Sequence, residues 1–228
     1  MLFRSPRPLL AVDRVRHVGD PVALVVAESL AKARDAAELV AVDYDPLPAV
    51  ADTYAATQPG AAQVWPDIKN NVCFDIVFGD AKAVDQAFGR AQRVVKLTLV
   101  NNRVVANSLE PRAALADYDP ATDRSTLYTP TQGPHKILTQ LADPILKLEK
   151  RKLRVVSGSV GGAFGMKIFL HPEQPLVVWA SRRLKRPVRW TGDRSESFLS
   201  DVQGRDNYSI AELALDADAR FQIGRAHV

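Results

Sequence analysis

The chain has 228 residues, 46% of them hydrophobic, enough length and apolar content for a core and too much for a disordered chain. Its net charge of +4 is mildly basic and is concentrated in Lys147–Arg154 (KLEKRKLR) and Arg182–Arg189 (RRLKRPVR); neither cluster has the interleaved aromatics that stack bases, so both read as solvated or subunit-facing surface rather than nucleic-acid sites. A single cysteine, Cys73, excludes an internal disulfide or a cysteine-rich metal site within this chain, and no apolar run nears the ~20 residues of a membrane span.

The chain opens on MLFRSPRP, which lacks the apolar h-region of a secretory signal, so the expected setting is cytoplasmic. Pro21–Ala27 predicts a short buried strand. Ser29–Val40 (SLAKARDAAELV) predicts a helix, with Leu30, Ala33, Ala37 and Val40 on one face. Ala41–Tyr44 alternates as a strand and stops at Asp45-Pro46-Leu47-Pro48, where proline enforces a turn. This α+β unit is expected to end near Asp52, and residues 53–71, which mix Pro, Gly, Ala and polar residues without a period, are expected to be a linker.

A second unit is expected over residues 72–221. Phe74–Phe78 reads as a strand, Asp80–Arg90 as a helix and Arg93–Val100 as a strand. Leu115–Arg124 predicts strand, turn and strand, continuing to Thr129. Gly133–Lys147 predicts a helix broken near Pro144, followed by a strand over 153–157, a helix over 173–185 and a strand at Val188–Thr191. Leu213–Phe221 resembles a strand entering a hairpin turn. The final Gln222–Val228 (QIGRAHV) resembles a translated sequencing-library adapter ending at a stop codon, and is set aside as a non-native tail, a genuine C-terminal tail being the other reading.

The most informative stretch is Ser159–Lys167 (SVGGAFGMK), between a predicted strand and a predicted helix. Glycines there let a backbone approach a ligand closely, and bared amides at a helix entrance suit an anionic oxygen. A second motif, Thr129–His135 (TPTQGPH), lies about thirty residues upstream. The glycine-rich loop fits neither GxGxxG nor GxxxxGK[ST], since Lys167 is followed by Ile168. Lys167 suits a phosphate, an acid or solvent. His135 and His171 lack metal-ligand spacing, and Cys73 reads as a small apolar residue.

In chain order, Val18–Ala23 (VGDPVA), Val42–Pro48 (VDYDPLP), Asn107–Arg112 (NSLEPR), Thr131–His135, Val160–Lys167, Arg186–Trp190 (RPVRW) and Asp193-Arg194 resemble the molybdenum-binding large subunit of the xanthine dehydrogenase, aldehyde oxidase and carbon monoxide dehydrogenase family. The resemblance implies an α+β fold: the C-terminal part of an α/β hammerhead domain over residues 1–52, then the N-terminal half of a molybdopterin-binding domain over 72–221. It further implies a molybdenum–molybdopterin cofactor, in bacterial members a cytosine dinucleotide form, with FAD and 2Fe-2S clusters on partner subunits.

By the same resemblance, Gln132 offers its side-chain amide to an oxo ligand. Gly161, Gly162, Ala163, Phe164 and Gly165 line the cofactor with main-chain amides, Phe164 adding a flat apolar wall. Glu110 belongs to a structural signature without a catalytic role. No catalytic residue is assigned, because the family's general-base glutamate belongs to a later segment, and the chain alone is expected to be inactive. Purine oxidisers carry an acid after the lysine, where this chain has Ile168; the expected substrate is therefore an aldehyde, a less polar heterocycle or carbon monoxide. The alternatives from other classes are a nucleotide- or phosphate-binding module and a non-catalytic remnant that docks to partner subunits.

Overall fold

The structure, a computed structural model, describes residues 8–228. The reading of the N-terminus as leaderless lies mostly outside them, in residues 1–7. In chain order the elements are α1 (Leu30–Glu38), α2 (Thr53–Ala56), α3 (Ala81–Arg90), β1 (Arg93–Asn101), β2 (Ala113–Asp119), β3 (Arg124–Tyr128), α4 (Pro134–Ala142), β4 (Leu153–Val156), α5 (Glu173–Leu184), β5 (Val188–Thr191), α6 (Arg194–Ser200), β6 (Asn207–Leu215) and β7 (Phe221–His227). The chain divides into two compact units. Among the described residues, one contains Pro46–Val104 and Gly204–Val228; the other contains residues 8–45 and Val105–Gln203.

The first of these is built on an antiparallel sheet of order β1-β6-β7. β1 pairs along its whole length with β6, from Arg93 opposite Leu215 to Asn101 opposite Asn207, and its other edge is free among the described residues. Every residue of β1 is exposed. Asp52 caps α2 by accepting from the Ala55 N–H at 2.6 Å, and Asp80 caps α3 through the Ala83 N–H at 3.0 Å, as short acidic side chains do at helix starts. Residues 53–71, expected to be a linker, hold α2 and a 3-10 turn at Lys69–Asn71. The Asn71 side chain ties this stretch together by donating to the carbonyls of Ala56 and Ala62 and accepting from the Val64 N–H.

The other unit carries a mixed sheet of order β4-β3-β2-β5, in which only the β3–β4 pair is parallel. α4 links those two strands, and α4 and α5 supply apolar side chains to a core with the sheet. Ala114, Ala116, Leu127 and Leu153 from the strands meet Ile137 and Leu141 of α4 and Val177 and Val178 of α5. Complete burial of side chains of this size stabilises by roughly 1.5–3 kcal/mol each for the larger ones.

Several local expectations are corrected. Pro21–Ala27, Ala41–Tyr44 and Phe74–Phe78 form no strand; a strand exists through its ladder, and none of the three has a ladder partner among the described residues. The helix at 29–40 forms as α1, capped by Ser29, but Leu30 and Val40 of its expected inner face are exposed. The helix after Gly133 ends at Ala142, ahead of Asp143-Pro144, as proline biases the residue before it away from helix. α6 was not expected. Residues 222–228, set aside as foreign, lie in and beyond β7 and pair with β6; ladder bonds use the backbone, so many sequences satisfy them.

Candidate functional site

The mixed sheet explains why motifs far apart in sequence meet. β3 and β4 are parallel neighbours with Tyr128 opposite Val156, so the segments leaving their C-terminal ends, 129–133 and 157–168, emerge side by side. β2 runs antiparallel to β3, which puts Asn107–Arg112, leading into β2, at the same end of the sheet. β5 pairs antiparallel with β2, Thr191 opposite Ala113, and delivers Asp193-Arg194 there as well. The C-terminal ends of parallel strands are where open α/β sheets bind ligands.

Hydrogen bonds lock these segments together. The Thr131 N–H donates to Ser157 Oγ at 3.2 Å, and the Ser157 hydroxyl to the Thr131 carbonyl at 3.3 Å. The Lys167 carbonyl accepts from Thr131 Oγ1 at 2.8 Å and from the Gln132 N–H at 3.2 Å. Glu110 accepts from the Gly161 N–H at 2.8 Å through its carboxylate, and its own N–H donates to the Gly161 carbonyl at 3.1 Å. Arg194 donates to Asn107 Oδ1 and to the Ser108 and Leu109 carbonyls, all within 2.9 Å, which fixes the approach to Glu110.

Lys167 is 1% exposed. Its ammonium donates to the Glu110 carbonyl and to Glu110 Oε2, both at 2.8 Å. Of the three roles open to it in the sequence, the structure therefore selects the acid. Burial pushes the Glu110 carboxyl up, but hydrogen bonds from Lys167 and the Gly161 amide outweigh it and hold the group below its ordinary value.

Within the glycine-rich loop, a Cβ on Gly161 would stand 2.6 Å from Glu110 Cβ, so only glycine allows this approach. Gly165 has φ +90 with open space where a Cβ would point. Ala163 is buried, while Phe164 is 78% exposed at φ 49, in the left-handed region that a bulky residue rarely adopts. Among the described residues, the N–H groups of Gly162, Ala163, Phe164 and Gly165 have no hydrogen-bond partner in the protein. The side chain of Gln132 is likewise exposed. The structure thus brings Gln132 and Gly161–Gly165 to one end of one sheet and leaves the Gly162–Gly165 amides free to donate. No group of three or more His, Cys, Asp or Glu placed to hold a metal ion occurs among the described residues.

Behind this surface lies a buried charged cluster. Arg112 donates to Glu173 at 2.6 Å, Asp201 at 2.7 Å and Ser200 Oγ at 2.6 Å. Burial pushes the Glu173 carboxyl up, with Arg112 pulling the other way. His171 donates from Nε2 to the Met166 carbonyl at 3.1 Å, and burial, with the Arg112 charge nearby, drops its pKa to about 4. In the fold its ring is held neutral and anchored to the Met166 carbonyl. Sequence reasoning passed over Glu110 and Arg194 as functional supports, although both stand inside the motifs it singled out.

Residues 64–228 match the family model of the molybdopterin cofactor-binding domain. The chain belongs to that family. Residues 1–48 match the a/b hammerhead domain of aldehyde oxidase and xanthine dehydrogenase. The chain is 38% identical over 221 residues to the nicotine 6-hydroxylase large subunit of Paenarthrobacter nicotinovorans, covering 96% of this chain and 27% of that protein. It is 33% identical to the carbon monoxide dehydrogenase large chain of Afipia carboxidovorans, covering 96% of this chain and 29% of the relative. A crystal structure of the Cu,Mo-CO dehydrogenase in its carbon monoxide reduced state superposes with a TM-score of 0.88 at 32% identity, over 96% of this chain and 29% of that one. Quinoline 2-oxidoreductase from Pseudomonas putida 86 superposes with a TM-score of 0.84 at 36% identity, over 97% of this chain and 28% of that one. The chain therefore spans little more than a quarter of the length of these relatives. No helix among the described residues is long and apolar enough to cross a membrane.

Proposed function

We propose that this chain is the part of a molybdenum hydroxylase large subunit that presents main-chain amides and Gln132 to a molybdopterin cofactor. The parent enzyme oxidises an aldehyde, a weakly polar heterocycle or carbon monoxide with oxygen from water. The observation that carries this reading is the convergence of the TQG and GGAFG segments beside the parallel pair β3–β4, with four consecutive amides unpartnered.

The donor set suits the group. Backbone N–H groups and a carboxamide stabilise oxo and phosphate oxygens without adding a positive charge. When bound, the pterin-held molybdenum supplies the two-electron redox chemistry that the side chains here lack. The roles left to this chain are binding and orientation. Gln132 offers a neutral N–H pair, Gly162–Gly165 offer their amides, and Phe164 holds an exposed aromatic face beside them that excludes water and orients a planar or small substrate. Ile168, close to Gly133, offers no hydrogen bond to a purine ring, which favours less polar substrates.

The chain comprises a hammerhead segment to residue 52, a linker over 53–71, a cofactor-binding segment from 72 to 221 and a non-native tail over 222–228. The cytosine dinucleotide form of the pterin, and partner subunits carrying FAD and 2Fe-2S clusters, complete the proposal.

A graft tests it. Residues 8–221 replace the matching segment of the nicotine 6-hydroxylase large subunit, which is then expressed with its natural assembly. Retained molybdenum and pterin in the assembled chimera is the expected result, and Gln132→Ala should lower dye-linked turnover by roughly tenfold or more. A chimera that assembles without pterin would overturn the reading, as would turnover of an aldehyde by the 228-residue chain alone.

A further inference from the structure

Lys167 bonds to the TQG loop through its carbonyl and to Glu110 through its side chain, and Glu110 in turn holds the start of the glycine-rich loop. Its side chain, almost wholly buried, is spent on Glu110, two of its hydrogen bonds going to that residue's carboxylate and carbonyl. Its carbonyl accepts from Thr131 Oγ1 and from the Gln132 N–H. Glu110 in turn grips Gly161 through both its carboxylate and its N–H. The path from Gln132 to the start of the glycine-rich loop therefore runs through two side chains, with hydrogen bonds of 3.2, 2.8 and 2.8 Å.

We infer that Lys167 and Glu110 are positioning residues that clamp the TQG loop and the glycine-rich loop in one mutual arrangement, so that Gln132 and the amides of Gly162–Gly165 face a ligand together. The physical case rests on directionality and burial. A buried ammonium must be paired and hydrogen-bonded, because an unpaired charge there is far more costly than a neutral group. Such a lysine cannot swing toward solvent or a phosphate without leaving the Glu110 contacts, so it is bound to its loop geometry. Charge-assisted bonds are also shorter and stronger than neutral ones, which suits a joint that must resist loop motion. Free glycine-rich loops pay a large entropic cost when they order around a ligand, and a clamp that orders them beforehand removes it. The importance of this arrangement rests on the cofactor reading; the clamp itself does not.

The test is amide hydrogen exchange on the 228-residue chain, comparing the wild type with Lys167→Met, Glu110→Ala and Glu110→Gln. In Lys167→Met and Glu110→Ala, the bonded amides of the two segments, Thr131, Gln132 and Gly133 in one and Gly161 and Met166 in the other, should exchange at least about tenfold faster, while α5 keeps its protection. Glu110→Gln keeps one acceptor oxygen for the Gly161 amide and for Lys167 but removes the charge that pairs the ammonium, so it should recover only part of the protection lost in Glu110→Ala. Faster exchange in one loop alone overturns the clamp, as does unchanged exchange in both. Acceleration spread equally over α5 also overturns it, because it marks general destabilisation. If Lys167→Met does not fold, the Glu110→Gln and Glu110→Ala pair decides on the same criteria. The pterin content of the graft described above is read separately: protected loops without pterin would sink the cofactor reading and leave the clamp standing, whereas pterin retained with unclamped loops would do the reverse.

Discussion

Phe164 holds a left-handed backbone while most of its ring faces solvent, so its side chain contributes little burial to offset a conformational cost of about 1–2 kcal/mol. Phe164→Gly removes that cost and adds about 0.5–1 kcal/mol of unfolded-state entropy, so stability should stay within about 1 kcal/mol of wild type in urea unfolding. A loss of several kcal/mol would show that the ring is a packing residue after all. His171 gives a pH signature. Its pKa in the fold is about 4, below its ordinary 6.5, so the folded state prefers the neutral ring. The stability it secures is complete above pH 6.5 and is lost as the pH falls toward 4, on the order of 3 kcal/mol in all. Glu173, whose carboxyl burial pushes up, works in the opposite sense. Comparing wild type with His171→Gln isolates the histidine, and the variant's unfolding midpoint should fall less steeply between pH 6.5 and 4.

At the scale of elements, Arg112 joins the start of β2 to the first turn of α5 and to the residue after α6 through Glu173 and Asp201. Removing one partner of a buried ion cluster leaves the others uncompensated. Arg112→Met should therefore lower unfolding stability by about 3–5 kcal/mol, and a loss under 1 kcal/mol would mean that water reaches the carboxylates. α6 depends on its cap: Asp193 accepts from the Glu196 N–H at 2.7 Å. Asp193→Ala should cost about 1 kcal/mol and, by loosening the first turn that carries Arg194, speed exchange in the segment 107–110. The basic clusters behave as ordinary surface where they are paired. Arg151 meets Glu149, while Lys152 and Arg182 share Asp123.

For the molecule as a whole, the unit built on β1-β6-β7 leaves Val95, Leu97, Leu99, Val100 and the run Phe74–Phe78 largely uncovered. Long apolar edge strands invite pairing with another chain. The isolated chain should self-associate with rising concentration in sedimentation velocity, and Leu97→Lys, a charge on the edge strand, should shift it toward monomer. A wild-type chain that stays monomeric at high concentration would show that this surface is not sticky.

Much of this was legible in the residues themselves. Helix starts were readable because Ser29 and Asp80 accept from the amides three residues on, those of Lys32 and Ala83, a local rule. The alternation of β1 and the proline-limited end of α4 are equally local. The membership of Gln132 and Gly161–Gly165 in recognisable motifs was likewise there to be read. The sequence could not say that Pro21–Ala27 and Phe74–Phe78 would lack ladders, since a strand needs a neighbour that no local pattern names. Nor could it choose among solvent, phosphate and acid for Lys167. That choice fell to the tertiary structure: the parallel pairing of β3 with β4 and the antiparallel pairing of β2 bring Glu110, Thr131 and Lys167 to one end of one sheet, where a buried ammonium must find a carboxylate.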